Sequence, residues 1–193
     1  MLLAAGGSAR LGQPKQLLVY RGQSLLQRAI AAATSSKAHT CVVVLGARAE
    51  LLQQQVDSKR VQVVVNADWQ EGMAASIRCG VKALMEKAPA VQGLLLMVCD
   101  QPYVTASLLN NIMKAHQSTG QPIVTCSYAG TFGPPTLFHK SLFPELLQLK
   151  GDVGAREVIR RHADEVEVVL FPEGSLDIDS GADYQQLSKE DRE

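Results

Sequence analysis

Apolar and polar positions follow two alternating patterns along the chain. Short runs of consecutive apolar residues, many of them β-branched, are followed by longer segments in which apolar residues recur at helical spacing. Continuous apolar runs are typical of strands buried on both faces, and their alternation with amphipathic helices is typical of a parallel sheet with helical crossovers. The predicted strands are 2–5, 40–45, 61–65, 94–99, 123–127, 167–171 and 176–178, and the predicted helices are 24–35, 50–56, 72–87, 106–116, 141–149, 152–162 and 182–187.

This pattern predicts one α/β domain over residues 1–193, because no linker, repeat or low-complexity segment interrupts it. The run 94–99 (L-L-L-M-V-C) is the most hydrophobic and is therefore predicted to be the central strand. Residues 130–138 are rich in Gly and Pro and are predicted to be an irregular connection. The first strand is short for a core strand, so we expect a few residues to precede Met1.

Composition and charge exclude several classes of partner. Lys and Arg number 19, as do Asp and Glu, so no overall field attracts nucleic acid or an anionic membrane. No apolar run approaches the roughly 20 residues of a membrane span. The four cysteines show no C-x-x-C spacing, which favours reduced thiols over disulfides or zinc ligands. We expect a cytoplasmic protein.

A glycine-rich basic loop follows the first predicted strand. Gly6, Gly7 and Gly12 allow backbone N–H groups to approach an anion closely, and Arg10 and Lys15 add positive charge at the same place. The loop lacks the Lys and Ser/Thr that end a Walker A loop, and it is not G-x-G-x-x-G. It predicts a triphosphate-binding loop of another type; the alternative is a glycine turn with two surface bases.

Acidic residues stand where two predicted strands end. Asp100 lies at the carboxyl end of the most buried strand, where open α/β sheets bind ligands, and a carboxylate there suits Mg²⁺ held jointly with phosphate. The alternative role is a turn or cap before Pro102. Asp177 and Asp179 share one face of a strand, and one of them could complete the Mg²⁺ site. The alternative for this segment is a helix cap, which fits Ser180 better than Asp179.

Three further segments carry candidate binding residues. Segment 66–76 (N-A-D-W-Q-E-G-M-A-A-S) opens a helix with small residues, which predicts free N–H groups and close access for a base or ribose. Trp69 within it is expected to be a packing residue. Segments 133–138 (G-P-P-T-L-F) and 151–156 (G-D-V-G-A-R) are, taken alone, a rigid turn and a helix start. Arg156 could meet an anionic acceptor.

The loop also resembles a known signature. L-A-A-G-G-S-A-R-L-G-Q-P-K resembles the L-A-A-G-x-S-x-R-M-G-x-x-K motif of nucleotidyltransferases of the molybdenum cofactor type, with Leu11 in the place of Met. Segments 66–76, C-D-Q-P, 133–138, 151–156 and D-I-D-S-G-A-D resemble that family's other motifs in the same order, although S-G-A replaces the family's T-P-x. The resemblance implies a three-layer α/β/α fold with a Rossmann-like, mostly parallel sheet of the nucleotidyltransferase (glycosyltransferase-A-like) type.

The resemblance also implies different binding roles for the two halves of the chain. Residues 1–100 would bind the nucleotide, and residues 101–188 would bind the acceptor. The implied catalytic residues are Arg10, Lys15 and Asp100, and the implied Mg²⁺ ligands are Asp100 and Asp179. The implied nucleotide-binding residues are Leu3, Ala4, Ala5, Gly6, Gly7, Ser8, Arg10, Lys15, Asn66, Gly72, Met73 and Ser76. The implied acceptor-binding residues are Gly133, Pro135 and Arg156.

The activity implied by the resemblance is transfer of CMP from CTP to molybdopterin, with release of pyrophosphate. CTP is favoured over GTP because residues 3–6 read L-A-A-G, whereas guanylyltransferase relatives tend to read L-A-G-G. A molybdoenzyme of the xanthine dehydrogenase type is the implied recipient of the product. The alternatives are a GTP-dependent guanylyltransferase, a sugar-phosphate nucleotidyltransferase and a non-catalytic carrier or chaperone of the molybdenum cofactor.

Overall fold

Seven strands form one mixed, mostly parallel sheet in the computed structural model, which describes residues 1–8 and 11–190. The strands are β1 (Leu2–Ala4), β2 (Val19–Tyr20), β3 (Gln23–Ser24), β4 (Val42–Leu45), β5 (Gln62–Val65), β6 (Gly93–Val98), β7 (Ile123–Tyr128), β8 (Thr131–His139) and β9 (Val166–Leu170). The order in the sheet is β5-β4-β1-β6-β8-β7-β9, with β2 and β3 forming a separate hairpin. Strand β8 runs antiparallel to both neighbours, and the other pairings in the sheet are parallel. The central position predicted for β6 is confirmed.

Helices cover both faces of this sheet, which confirms the predicted three layers. They are α1 (Leu25–Ser35), α2 (Ala49–Gln53), α3 (Met73–Lys87), α4 (Ala106–Thr119), α5 (Phe143–Gln148), α6 (Arg156–Arg161) and α7 (Gly181–Glu190), with 3₁₀ turns at Lys15–Leu17, Trp69–Glu71, Lys140–Leu142, Ala163–Glu165 and Pro172–Ser175. Apolar side chains of α3, α5 and α6 pack on one face, and those of α1, α2 and α4 pack on the other. Within residues 1–8 and 11–190, no helix is long and apolar enough to cross a membrane.

A small separate apolar cluster joins the β2–β3 hairpin to α7 and to the segment that precedes it. The hairpin of β2 and β3 turns at Arg21 and Gly22, which both have positive φ, as the favoured two-residue hairpin turns require. Its Tyr20 is fully buried and packs with Ile178 and with Leu187 of α7. This contact brings residue 179 close to the segment that begins at Lys15.

Two predicted elements differ in the structure. The Gly- and Pro-rich stretch is strand β8, whose pairing with β7 jumps from Thr136 to Gly133. Pro134 and Pro135 therefore lie in the irregular part of the ladder, where a missing N–H costs no hydrogen bond. The predicted strand 176–178 is not a strand, because β6 is already paired on both sides and leaves no edge for it to join.

The cysteines agree with the expectation of reduced thiols. All four are free, and Cys99 and Cys126 are buried in the core. Burial raises the pKa of each of these two thiols to about 12, so both stay protonated and unreactive at neutral pH.

His162 links α5 to α6, the helix that begins at the candidate acceptor residue Arg156. The ring of His162, at the end of α6, bonds Glu145 of α5 (2.7 Å) and Glu165 (2.8 Å). These two carboxylates raise the pKa of His162, so the folded chain holds the proton more tightly than the unfolded chain. The stabilisation is complete below the unfolded pKa of about 6.5 and is lost as the pH rises through the higher folded pKa.

We therefore expect the wild-type melting temperature to fall between pH 6 and pH 8.5 by more than that of His162→Gln. Thermal unfolding across this range checks the prediction, with the exposed His39→Gln as the matched control. An unchanged slope in His162→Gln would show that this contact contributes nothing to the pH dependence.

Candidate nucleotide and metal site

A cleft of about 310 Å³ opens at the carboxyl ends of β1 and β6. In the sheet order, β1 leads to β4 on one side and β6 lies on the other, so the cleft is at the point where the strand connections reverse direction. Its lining comes from the glycine loop, the start of α3 and the end of β6: Leu3, Ala5, Gly6, Gly7, Lys15, Trp69, Gln70, Gly72, Met73, Ser76, Val98, Cys99, Asp100 and Asp152.

One buried side chain holds the glycine loop in shape. The amide of Gln16 is almost completely buried and donates to the carbonyl oxygens of Ala4 (3.0 Å) and Gly6 (2.9 Å). Ser8 accepts a hydrogen bond from the backbone N–H of Lys15 (3.0 Å) and so closes the loop at its other end. The loop conformation is thus fixed by side chains and not by glycine freedom alone.

Replacement of Gln16 by leucine should loosen the loop. The buried carbonyl oxygen of Ala4 would lose its donor, which costs about 1–3 kcal/mol for an unsatisfied buried group, and the more exposed carbonyl oxygen of Gly6 would lose one as well. We expect a lower free energy of unfolding in urea and about tenfold weaker binding of Mg²⁺–CTP, measured by the fluorescence of Trp69, the only tryptophan. The matched control is Gln148→Leu on the exposed end of α5; equal effects of the two changes would contradict the role given to Gln16.

The predicted basic and acidic residues meet at the rim of the cleft. The ammonium of Lys15 contacts the Asp100 carboxylate and bonds Asp179 Oδ1 at 2.9 Å. Burial lowers the pKa of Lys15, but the two carboxylates raise it by more, so the ammonium stays charged. Residues 15, 100 and 179 thus form one charged cluster at the end of the central strand.

The last segment of the chain is tied to this cluster through its backbone. The N–H of Ile178 donates to the carbonyl oxygen of Asp100 at 3.1 Å. Ser180 caps α7 by accepting from the Asp183 N–H (3.3 Å), and the Asp183 carboxylate accepts from the Ser180 N–H (2.7 Å). Ser180 is therefore the N-cap of α7, which is the alternative role given above for this segment. The Asp179 side chain is oriented toward Lys15 instead.

The chemistry of these oxygens fits a divalent cation. Asp100 Oδ1 is buried and has no hydrogen-bond partner among the described residues, although a buried carboxylate oxygen normally has one. Residues 1–8 and 11–190 contain no cluster of three or more Asp, Glu, His or Cys that could hold a metal by itself. Mg²⁺ typically takes one or two carboxylates and completes its ligands with phosphate and water, so Asp100 and Asp179 fit it.

The start of α3 differs from the expectation of free N–H groups. The N–H of Met73 donates to Asp152 Oδ1 (3.3 Å), and the N–H of Ala74 donates to the carbonyl oxygen of Gly151 (3.2 Å). Segment 151–156 therefore docks on the first turn of α3 and closes one side of the cleft. Gly72 has φ of 109°, and a Cβ there would lie 2.6 Å from the Gly151 oxygen. Glycine is required for this approach.

Two side chains expected near the nucleotide support the cleft wall. Asn66 is buried and donates to Ser76 Oγ at 3.1 Å, so it positions Ser76, which lines the cleft. The indole of Trp69 packs over Gly7, where an added Cβ would lie 3.3 Å from the ring, and the Cβ of Trp69 lies beside Gly46. The packing role expected for Trp69 is confirmed, although its ring also lines the cleft.

The candidate acceptor residues lie together beyond Asp100, outside the lining of this cleft. A Cβ on Gly133 would lie 2.2 Å from Tyr128 Oη and 3.1 Å from Arg156 Nη2, so Gly133 leaves the room that these two groups need. The carbonyl of Gly133 accepts from Thr125 and Thr136, both at 3.1 Å.

Pro135 is the third candidate acceptor residue. Pro135 is buried in β8 after a cis peptide bond. Arg10 lies outside the described residues. Gln16, Gln101, Tyr128 and Asp152 were not predicted, because each acts through a contact between distant parts of the chain that periodicity does not reveal. The pKa of Asp177 is raised to about 6, chiefly by its removal from water and also by the Asp100 carboxylate.

Comparison with known proteins decides the family. Residues 1–166 match the model of the MobA-like NTP transferase domain. The chain belongs to the MobA-like NTP transferase family. It is therefore a nucleotidyltransferase enzyme, as the sequence predicted, and its fold is that of this family.

The chain is also similar in sequence or structure to several known proteins. The crystal structure of Rv0371c from Mycobacterium tuberculosis superimposes with a TM-score of 0.84 at 33% identity, covering 97% of this chain and 95% of that one. A complex of Rv0371c with manganese gives a TM-score of 0.79 at 30% identity, covering 97% and 96%. The nicotine blue oxidoreductase of Paenarthrobacter nicotinovorans is 31% identical over 170 residues, 83% of this chain and 80% of its own length. A structural homologue of this chain, Rv0371c, thus binds manganese.

Proposed function

We propose that this MobA-like nucleotidyltransferase transfers CMP from CTP to the terminal phosphate of molybdopterin and releases pyrophosphate. The observation that carries the proposal is the cluster of Lys15, Asp100 and Asp179 beside the glycine loop, with Asp100 Oδ1 buried and lacking a partner among the described residues. The order of the motifs along the chain supports molybdopterin as the acceptor. The L-A-A-G sequence at the start of the loop supports CTP as the nucleotide.

The transfer is a single in-line displacement. An oxygen of the acceptor phosphate forms a bond to the α-phosphorus of CTP, and the bond from that phosphorus to the bridging oxygen breaks as pyrophosphate leaves. The acceptor phosphate is already ionised, so no general base is needed. Catalysis then depends on alignment and on neutralising charge.

Asp100 and Asp179 would hold Mg²⁺, which supplies charge neutralisation at the reacting phosphates. The ammonium of Lys15 holds the two carboxylates together before the cation binds. If these carboxylates held a cation, the Lys15 ammonium would be free to neutralise the pyrophosphate, a role it would share with Arg10 and the loop N–H groups. The glycine loop and the start of α3 enclose the nucleotide, and Gly133, Pro135 and Arg156 bind the acceptor.

Pyrophosphate release with CTP and with GTP, measured side by side with molybdopterin and Mg²⁺, tests the substrates. We expect faster release with CTP; faster release with GTP would overturn the base assignment. A third reaction uses a sugar 1-phosphate as the acceptor, and pyrophosphate release in it would indicate a sugar-phosphate nucleotidyltransferase. Tight binding of the molybdenum cofactor without any pyrophosphate release would indicate a carrier. Transfer of the labelled product to a molybdoenzyme of the xanthine dehydrogenase type tests the recipient.

A further inference from the structure

A chain of polar contacts leads from the metal side of the site to the acceptor arginine. Gln101, the residue after Asp100, is buried and donates from Nε2 to Tyr128 Oη (3.1 Å) and to the Gly174 carbonyl (3.2 Å). Tyr128 Oη in turn adjoins the Arg156 guanidinium. Neither Gln101 nor Tyr128 has a role in the function proposed above.

Tyr128 is rigidly held at the middle of this chain. Its ring packs edge-to-face on Phe171, with centroids 6.3 Å apart, and a Cβ on Gly174 would lie 2.6 Å from its Cδ1. Burial raises the pKa of the Tyr128 phenol, against the opposing effect of Gln101 and Arg156, so the phenol stays neutral. Gln101 and Arg156 are both donors to its oxygen, and the Tyr128 O–H remains a donor in its own right.

Arg156, in contrast, is an exposed side chain on the first turn of a short helix. A long exposed arginine samples many rotamers, and holding it in one of them costs up to about 2 kcal/mol. A fixed oxygen beside its guanidinium restricts that freedom. Because Tyr128 is anchored to the residue after Asp100, the same contact sets Arg156 at a defined place relative to the candidate metal ligand.

We infer that Tyr128, anchored by Gln101, is a positioning residue that orients Arg156 so that an acceptor phosphate is aligned with the nucleotide held at Asp100. This inference rests on the proposed function for the acceptor class, a phosphate monoester. Gly133 is needed for this arrangement, because any larger residue would fill the space of Tyr128 Oη and Arg156 Nη2. Gln101 Oε1 is buried and has no hydrogen-bond partner within the described residues.

Tyr128→Phe removes the hydroxyl and keeps the ring packing. We expect kcat/KM for molybdopterin to fall about 10- to 30-fold, the loss of one hydrogen bond to a charged group, while Trp69 fluorescence reports unchanged Mg²⁺–CTP binding. Tyr184→Phe is the matched control, because its hydroxyl bonds the Val19 carbonyl away from the site (3.0 Å). The inference would be overturned if the affinity for Mg²⁺–CTP fell by the same factor as kcat/KM. It would also be overturned if the variant were partly unfolded at the assay temperature.

A double-mutant cycle separates positioning from mere support. If Tyr128 acts through Arg156, Tyr128→Phe combined with Arg156→Gln should be no worse than Arg156→Gln alone. Additive losses would overturn the inference. Gly133→Ala provides a second variant, expected to reproduce the Tyr128→Phe effect.

Inorganic phosphate provides a probe that does not depend on the proposed reaction. Binding is followed by ³¹P NMR line broadening in the presence of Mg²⁺–CTP, and we expect it to weaken about tenfold in both Tyr128→Phe and Arg156→Gln. If the wild-type protein fails to use molybdopterin but phosphate binding weakens in this way, the proposed function fails and the positioning role stands. Unchanged phosphate binding in both variants would overturn the positioning role.

Discussion

Asp100→Asn should abolish most of the turnover, by about a thousandfold or about 4 kcal/mol of transition-state stabilisation. The amide keeps the size of the side chain but removes the charge that holds a cation. It also leaves the Lys15 ammonium with one of its two carboxylate partners, Asp179. The loop and the start of α3 are untouched, so Mg²⁺–CTP binding should be partly retained.

Steady-state pyrophosphate release and Trp69 fluorescence titration measure the two quantities separately. Asp164→Asn is the matched control, because Asp164 is exposed in a 3₁₀ turn after α6. Turnover within twofold of wild type would exclude Asp100 as a metal ligand.

Lys15→Met should have opposite effects on turnover and on metal binding. Turnover should fall about 100- to 1000-fold, because the charge on the leaving pyrophosphate loses a cationic partner. The affinity for Mn²⁺ should rise, because the carboxylates of Asp100 and Asp179 lose the ammonium that neutralises them and would repel each other without a cation.

The rise in melting temperature on adding Mn²⁺ measures this affinity, since a ligand stabilises the state that binds it. We expect a larger rise in Lys15→Met than in wild type and in the exposed control Lys150→Met. An equal or smaller rise would show that the ammonium does not compete with the cation for these carboxylates.

The sequence predicted those parts of the molecule that depend on local pattern. The buried run of β6 and the helix α1 were located because apolar periodicity is a property of neighbouring residues. The place of Asp100 in the site followed from the rule that open α/β sheets bind ligands at the carboxyl ends of their strands.

The elements that were not predicted depend on the sheet as a whole. Strand β8 contains Pro134 and Pro135, yet it forms because β6 and β7 present edges on either side of it and its ladder skips the two prolines. Segment 176–178 has strand-like residues, but it meets a strand that is already paired on both sides. The β2–β3 hairpin was missed because each of its strands has two residues.

Contacts of side chains over long sequence separations were also beyond prediction. Gln16 is one of several glutamines, and only the curvature of the loop brings Ala4 and Gly6 to its amide. Tyr128 directly follows the predicted strand 123–127, and its hydroxyl becomes important only through Gln101 and Arg156. These residues are the ones whose roles the variants above can test.

The docking of Ile178 on Asp100 makes the distance between the two candidate metal ligands depend on packing elsewhere in the molecule. Asp100 follows the central strand, whereas Asp179 belongs to a segment that packs with α7 against the β2–β3 hairpin. The glycine loop is held separately, by the buried amide of Gln16. We therefore expect loosening of the α7 packing to separate the two carboxylates while the glycine loop keeps its shape.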